Sequence, residues 1–234
     1  MAAKGLGRAV FLLPMPDEPQ IPLSRLATFV RQHTHDVRNA LNSLELETAL
    51  LHEIVGDADA LACIDRIRSQ VRACGGQMRS LSALFQDPQP DAAPIAASEL
   101  FLIWKDQHAG LKQPLEVEWT GSLGTEEVNV DTAMMSAVFR ELLANAAASA
   151  PGSKVIASAR REDGDVVFEL REPKTASLDT SRWGEPLATT RRGGYGLGLW
   201  SAQRLLAANR SRITWEQAPG EMALVTRVSV PVVK

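Results

Sequence analysis

Residues 141–151 have the sequence Glu-Leu-Leu-Ala-Asn-Ala-Ala-Ala-Ser-Ala-Pro and end a long segment with helical periodicity. Glu141 and Asn145 are four residues apart, so their side chains lie on one face of the predicted helix. A second stretch, Gly-Gly-Tyr-Gly-Leu-Gly-Leu at 193–199, opens another predicted helix. Glycines at a helix N-terminus let backbone N–H groups approach phosphates. The stretch is not a Walker motif, because no Gly-Lys-Ser/Thr sequence follows it.

Helical and strand patterns alternate around these two motifs. The predicted helices cover 97–108, 132–150 and 198–208, and the predicted strands cover 115–119, 154–159, 166–170, 213–215 and 224–233. Helices interleaved with an antiparallel or mixed sheet favour a two-layer α/β sandwich, so the chain is assigned to the α+β class.

The N-terminal part has a different pattern, in which apolar residues recur at steps of three and four. This spacing predicts two long helices separated by a tight turn at Gly56-Asp57. The first apolar seam consists of Leu26, Val30, His33, Val37, Ala40, Leu44, Thr48, Leu51 and Val55, and the second of Leu61, Ile64, Ile67, Val71, Cys74, Met78, Leu81 and Phe85. Two helices alone cannot bury both apolar faces. We therefore expect a homodimer through residues 23–87 that forms a four-helix bundle.

These patterns divide the chain into four segments. Residues 1–22 mix glycine, proline and charge and are predicted to be an N-terminal tail. The helical hairpin covers 23–87, and the proline-containing segment 88–97 is predicted to be a linker. The sandwich covers 98–234.

The segment His-Asp-Val-Arg-Asn at 35–39 lies on the first predicted helix. His33 belongs to the apolar seam, whereas His35 lies about 200° further around the helix and faces solvent. A neutral imidazole there could act as a nucleophile toward a phosphoryl group, and Asp36 could orient the ring or accept its proton. Asn39 lies one turn beyond His35 on the same face. A solvated helix face without a chemical role is the alternative interpretation of this segment taken alone.

The composition argues against some classes of partner. A net charge of −3 and a pI near 5.9 provide no basic surface for nucleic acid, so we expect no nucleic-acid partner. No apolar run approaches the roughly 20 residues that span a bilayer, so we expect a cytoplasmic protein with no membrane association. Cys63 and Cys74 have no histidine neighbours at zinc spacing and are predicted to be small buried fillers in a reducing compartment.

The hairpin and its histidine resemble the dimerisation and histidine-phosphotransfer domain of two-component sensor histidine kinases. In that family an acidic residue follows the phosphoacceptor histidine, and Asn or Thr stands four positions after the histidine. The resemblance therefore implies that His35 is the phosphoacceptor and that Asp36 and Asn39 assist it. The family often has a proline five positions after the histidine. Ala40 stands there in this sequence, so we expect a straighter helix.

The second half resembles the GHKL-type ATP-binding domain that histidine kinases share with gyrase-type topoisomerases. The resemblance implies that Asn145 corresponds to the magnesium-ligating asparagine and Glu141 to its acidic partner. It also implies that Gly194, Gly196 and Gly198 form the phosphate-binding end of the lid. Together the two resemblances cover residues 23–234 and indicate a histidine kinase catalytic core.

One motif of that family is degenerate in this chain. The family carries an Asp that binds the adenine amino group and, shortly after it, two glycines. Here Glu172 takes the Asp position, Lys174 and Ala176 replace the glycines, and Pro173 is predicted to stiffen a turn. We expect these side chains to obstruct the adenine, so Glu172 marks a degenerate nucleotide site.

Three functions are compatible with this resemblance and its departure. The first is a histidine phosphotransfer protein, similar to kinase-derived histidine phosphotransferases, that carries phosphate on His35 between receiver-domain aspartates of a phosphorelay. Its partners would be response-regulator receiver domains and an upstream hybrid kinase, and it would need no cofactor. The alternative is an ATP-dependent histidine kinase with an atypical pocket, in which ATP binds with Mg²⁺ held by Asn145. The third is a non-catalytic regulator that binds a kinase or a receiver.

Overall fold

The computed structural model describes residues 22–149, 152–176, 178–189, 195–218 and 220–233. The predicted tail therefore lies outside the described residues, except for Pro22. The chain divides into two compact units, Met1–Gln86 and Asp87–Lys234.

The described part of the first unit is a helical hairpin. Helix α1 spans Leu23–Ile54 and helix α2 spans Ala58–Leu84. The turn between them lies where the sequence predicts it. Asp57 caps α2, because its carboxylate accepts a hydrogen bond of 2.9 Å from the backbone N–H of Ala60. The prediction of two long helices is confirmed.

Each predicted apolar seam contains some residues that the hairpin buries and others that remain exposed. In α1, Val37 is half-buried and Thr48 is buried inside the hairpin. Leu44 and Leu51, in contrast, are each 44% exposed. Helix α2 repeats this division, since Ile67 is 42% exposed. A single hairpin thus buries one face of each helix and leaves an adjacent apolar stripe open to solvent.

The two cysteines lie on the surface of this hairpin. Cys63 and Cys74 are both exposed, so the prediction that they are buried fillers is wrong for a single chain. Cys74 follows Ile67 by seven residues and therefore lies on the same side of α2. The apolar seam predicted for α2 includes residues of both the buried and the exposed side. The sequence therefore groups Cys74 with the buried residues.

The described part of the second unit is a two-layer sandwich of three helices and two sheets. Its elements in chain order are β1 Ala93–Ala96, α3 Ala97–Ala109, β2 Glu116–Ser122, β3 Glu127–Val130, α4 Thr132–Ser149, β4 Lys154–Glu162, β5 Asp165–Pro173, α5 Gly198–Ala208, β6 Arg212–Gln217 and β7 Ala223–Pro231. The larger sheet has the order β2-β4-β5-β7-β6, with β2 parallel to β4 and the other neighbours antiparallel. The predicted mixed sheet and α+β class are confirmed.

The core of the sandwich lies between the helices and one face of the larger sheet. Trp104 of α3 stacks on Phe139 of α4 with ring centroids 5.1 Å apart. Phe168 of β5 lies 5.9 Å from the first ring and 5.3 Å from the second. All three side chains are buried. This aromatic cluster holds α4, the helix that carries Glu141 and Asn145, against the sheet.

Two strands are absent from the sequence prediction. β1 lies inside the segment 88–97 that is predicted to be a linker, and it pairs with β3 from Ala93↔Val130 to Ala96↔Glu127. Each strand has only four residues, too few to show a clear alternation. The linker prediction is therefore corrected, because the second unit already begins at Asp87.

Strand β5 also extends beyond its predicted end at residue 170. Residues 171–173 pair with residues 223–225 of β7. The segment that is predicted to turn away after the strand therefore continues the sheet. Pro173 is the last residue of β5 and not part of a turn.

Candidate functional site

The structure brings together the three residues predicted around the histidine on α1. The Nδ1 atom of His35 lies 3.4 Å from Oδ1 of Asp36 and 3.4 Å from Nδ2 of Asn39. The side chains of His35 and Asp36 are 64% and 60% exposed, so a partner protein has direct access to the imidazole.

These contacts distinguish the two ring nitrogens of His35. Both neighbouring groups face Nδ1, and within the described part of the chain no hydrogen bond reaches Nε2. When Nδ1 carries the proton, it donates toward Asp36 and leaves a lone pair on Nε2. When Nε2 carries the proton, Nδ1 accepts from the amide of Asn39. The first arrangement is the one that makes Nε2 a nucleophile.

Gln32 is a member of this cluster that the sequence analysis missed. Its Nε2 atom donates a hydrogen bond of 3.1 Å to Oδ1 of Asp36. The sequence contains the signal, because Gln32 and Asp36 are four residues apart on one helix.

A second polar face lies on α4 in the sandwich. Glu141, Asn145 and Ser149 follow one another at intervals of four residues, and Nδ2 of Asn145 donates to Oε1 of Glu141 at 3.0 Å. The hydroxyl of Ser149 donates to Oε2 of Glu172 at 3.0 Å, which connects this face to the end of β5. The first two residues are predicted from the sequence, whereas Ser149 is not, although it continues their spacing.

Two glycines at the start of α5 lie close to neighbouring groups. A Cβ atom at Gly198 would lie 2.5 Å from the carboxylate carbon of Glu141, so a larger residue at the start of α5 displaces that carboxylate. Gly196 has a φ of +64°, and a Cβ there would lie 2.6 Å from the carbonyl carbon of Leu187. Gly194, the third predicted glycine, lies outside the described residues.

Residues at the end of β5 and the end of α4 form a charge-compensated cluster. Nζ of Lys174 lies 2.8 Å from Oε2 of Glu172 and donates a 2.9 Å hydrogen bond to the hydroxyl of Ser149. The side chains of Lys174 and Glu172 are only 10% and 6% exposed. The side chain of Lys174 therefore turns inward onto the carboxylate of Glu172.

Among the described residues, no group of three or more His, Cys, Asp or Glu side chains is arranged to hold a metal ion. None of the helices in the described ranges combines the length and the apolar character that a membrane span requires.

Comparison with known proteins was made at the levels of sequence and structure. No protein-family model matches the sequence, and no curated protein matches it. The fold is similar to that of full-length ShkA in complex with AMPPNP, with a TM-score of 0.67 and 17% identity over 89% of this chain. The matched region is 46% of ShkA, so this chain spans about half the length of that protein.

Two other solved structures were also matched. The mycobacterial sensor histidine kinase MprB gives a TM-score of 0.49 at 17% identity, over 60% of this chain and 97% of MprB. The Acinetobacter baumannii histidine kinase AdeS gives 0.49 at 14% identity, over 86% of this chain and 98% of AdeS. The match to ShkA carries the structural conclusion. The chain has the fold of a histidine kinase catalytic core, in which a helical hairpin precedes a GHKL-type sandwich.

Proposed function

We propose that this protein is a cytoplasmic histidine phosphotransfer protein that carries a phosphoryl group on His35 between receiver-domain aspartates. The fold supports a role in two-component signalling, and the contacts of Nδ1 support Nε2 as the acceptor. One observation favours phosphotransfer over ATP-dependent kinase activity. It is the buried pair of Lys174 and Glu172 at the end of β5.

The transfer step requires little of the protein beyond His35 and its neighbours. The lone pair of Nε2 attacks the phosphorus of a receiver's aspartyl phosphate, a P–N bond forms, and the P–O bond to the aspartate breaks. The electron pair leaves with the aspartate carboxylate. The Nδ1 proton stays on the ring, where Asp36 at 3.4 Å stabilises the positive charge that the imidazole acquires. The reverse step delivers the phosphoryl group to a second receiver.

The residues at the end of β5 do not fit recognition of an adenine. A base amino group needs an accessible acceptor, whereas Oε2 of Glu172 already accepts from Lys174 and from Ser149. Opening the pair to admit a base would leave a buried charge without its partner, which is strongly unfavourable. We therefore include neither ATP nor Mg²⁺ in the proposed function.

The open apolar stripe of the hairpin supports self-association. A single chain leaves the large apolar side chains of Leu44, Leu51 and Ile67 between 42% and 44% exposed. A second copy that pairs with this stripe would form the four-helix bundle expected from the sequence. The proposed partners are thus a second copy of this chain and the receiver domains of response regulators and of an upstream hybrid kinase.

Kinase activity is the second candidate, because two parts of a nucleotide site are present. Asn145 remains bonded to Glu141, and the close packing at Gly196 and Gly198 is retained. A non-catalytic regulator is the third candidate, and it differs from both others in not needing His35.

Two labelling experiments separate the three candidates. The protein is first incubated with γ-labelled ATP and Mg²⁺ beside a His35→Ala control. We expect no acid-labile label, and label on the wild type alone would instead establish a kinase.

The protein is then mixed with a phosphorylated receiver domain. Acid-labile label on the wild type but not on His35→Ala is expected for phosphotransfer. Its absence in a folded dimer would leave the binding regulator as the function.

A further inference from the structure

One carboxylate oxygen of Asp36 lies between two side chains of α1. Oδ1 accepts the hydrogen bond from Nε2 of Gln32 at 3.1 Å, and the same oxygen faces Nδ1 of His35 at 3.4 Å. We propose that Gln32 is a positioning residue that holds Asp36 toward the imidazole and so keeps the ring proton on Nδ1. The inference rests on the proposed phosphotransfer function for its effect on rate. Its effect on the imidazole itself is independent of that function.

The exposed setting of this cluster explains why a positioning residue matters. Asp36 is 60% exposed, and an exposed side chain on a helix can exchange between two staggered χ1 wells. At 3.4 Å its contact with His35 is too long to be a strong hydrogen bond and does not by itself select one of these wells. The shorter bond from Gln32 selects the well in which Oδ1 faces the ring, because a Gln and an Asp four residues apart stabilise one another on a helix.

The same position of Asp36 decides between the two neutral tautomers of His35. Asp36 accepts a proton from Nδ1 and favours a free lone pair on Nε2. Asn39 donates toward Nδ1, at the same 3.4 Å, and favours the proton on Nε2. Because these two contacts oppose each other at equal distance, the hydrogen bond that keeps Asp36 in place shifts the balance toward the nucleophilic tautomer.

The direct test measures the tautomers of His35 by nitrogen NMR of the histidine-labelled full chain at alkaline pH, with His35→Ala used to assign the signals. Gln32→Met removes the donor at similar size and helix propensity, and we expect the ratio of the Nε2-protonated to the Nδ1-protonated tautomer to rise about twofold. Gln32→Lys keeps a donor at this position and should resemble the wild type. Gln70→Met at an exposed position of α2 is the matched control and should leave the ratio unchanged.

A kinetic cycle then tests whether Gln32 acts through Asp36. The phosphorylated receiver is the donor, and the rate constant at saturation is separated from the receiver concentration that gives half the maximal rate. Gln32→Met should lower the rate constant about twofold without changing that concentration, and should have no further effect in the Asp36→Ala background, where the acceptor of its hydrogen bond is gone. An equal loss in the Asp36→Ala background, or an unchanged tautomer ratio in Gln32→Met, overturns the proposal. If the wild type accepts no phosphoryl group, the phosphotransfer function fails, and the tautomer ratio still decides the role of Gln32.

Discussion

At the level of single residues, the pair formed by Lys174 and Glu172 constrains the end of β5. Both charges are nearly removed from water, and each depends on the other together with Ser149. A buried pair of this kind contributes little net stability compared with apolar residues of the same shape. Removing one partner alone is severe, because the remaining charge stays buried.

Lys174→Met should therefore lower the free energy of unfolding by about 3–5 kcal/mol, since it leaves Glu172 uncompensated. The double variant Glu172→Gln with Lys174→Met removes both charges and should recover most of this loss. Urea unfolding followed by circular dichroism measures both values. Lys112→Met at an exposed position is the control and should be neutral. Equal stability of Lys174→Met and the wild type would show that the pair does not act as a buried unit.

At the level of secondary-structure elements, α4 is positioned from its first turn. Asp131 precedes the helix, and its Oδ1 accepts hydrogen bonds from the N–H groups of Ala133 at 2.9 Å and Met134 at 3.0 Å. Oδ2 accepts from the N–H of Asp91 at 3.0 Å, which ties the cap to the segment before β1. These bonds, that of Met134 foremost, hold the pKa of Asp131 below its usual value.

The cap predicts a defined dependence of stability on pH. A carboxyl group whose pKa is lowered by folding stabilises the protein above its unfolded pKa, and this contribution is lost as pH falls through the folded pKa. Asp131→Ala should cost about 1 kcal/mol at pH 7, and Asp131→Asn, which still caps, should cost less. The difference in the free energy of unfolding between the wild type and Asp131→Asn, measured by urea unfolding, should be smaller at pH 3 than at pH 7. A gap that does not change with pH would contradict a charged cap.

The start of α5 allows a prediction from packing. Gly198→Ala places a methyl group against the carboxylate of Glu141 and moves it away from the amide of Asn145, so we expect a loss of about 1 kcal/mol in the free energy of unfolding. Adding Glu141→Ala should then cause little further loss. Gly110→Ala is the matched control, because its φ is −89° and its nearest neighbour would lie 3.8 Å away. A thermal melt in which Gly198→Ala resembles Gly110→Ala would contradict the close approach.

Some of these elements could be predicted from the sequence alone, and others could not. Helix α5 has the predicted limits, Gly198–Ala208, because its glycines and its periodicity act locally. Strands β1 and β3 could not be predicted, since their pairing joins short segments that are more than 30 residues apart. The cluster of Lys174 with Ser149 was missed for the same reason. Sequence spacing relates residues within one helix, whereas this contact joins the end of a strand to the end of α4.

At the level of the whole molecule, the apolar stripe on the hairpin determines the proposed assembly. Leu44→Glu places a charge in the proposed dimer interface and should raise the dimer dissociation constant at least tenfold, as measured by analytical ultracentrifugation. Leu102→Glu is the matched control, because Leu102 is 55% exposed on α3 of the sandwich and should not affect assembly. A wild type that stays monomeric, or a Leu44→Glu variant that dimerises normally, would contradict the proposed bundle.

The aromatic residues are divided unequally between the two units. All five tryptophans, at positions 104, 119, 183, 200 and 215, and the single tyrosine, Tyr195, belong to the unit Asp87–Lys234. Fluorescence excited at tryptophan wavelengths therefore reports only on the sandwich, while far-ultraviolet dichroism also reports on the hairpin. The protein thus carries an intrinsic optical label on one unit. Comparing the unfolding transitions followed by fluorescence and by dichroism therefore gives the order in which the two units lose structure, without an added dye.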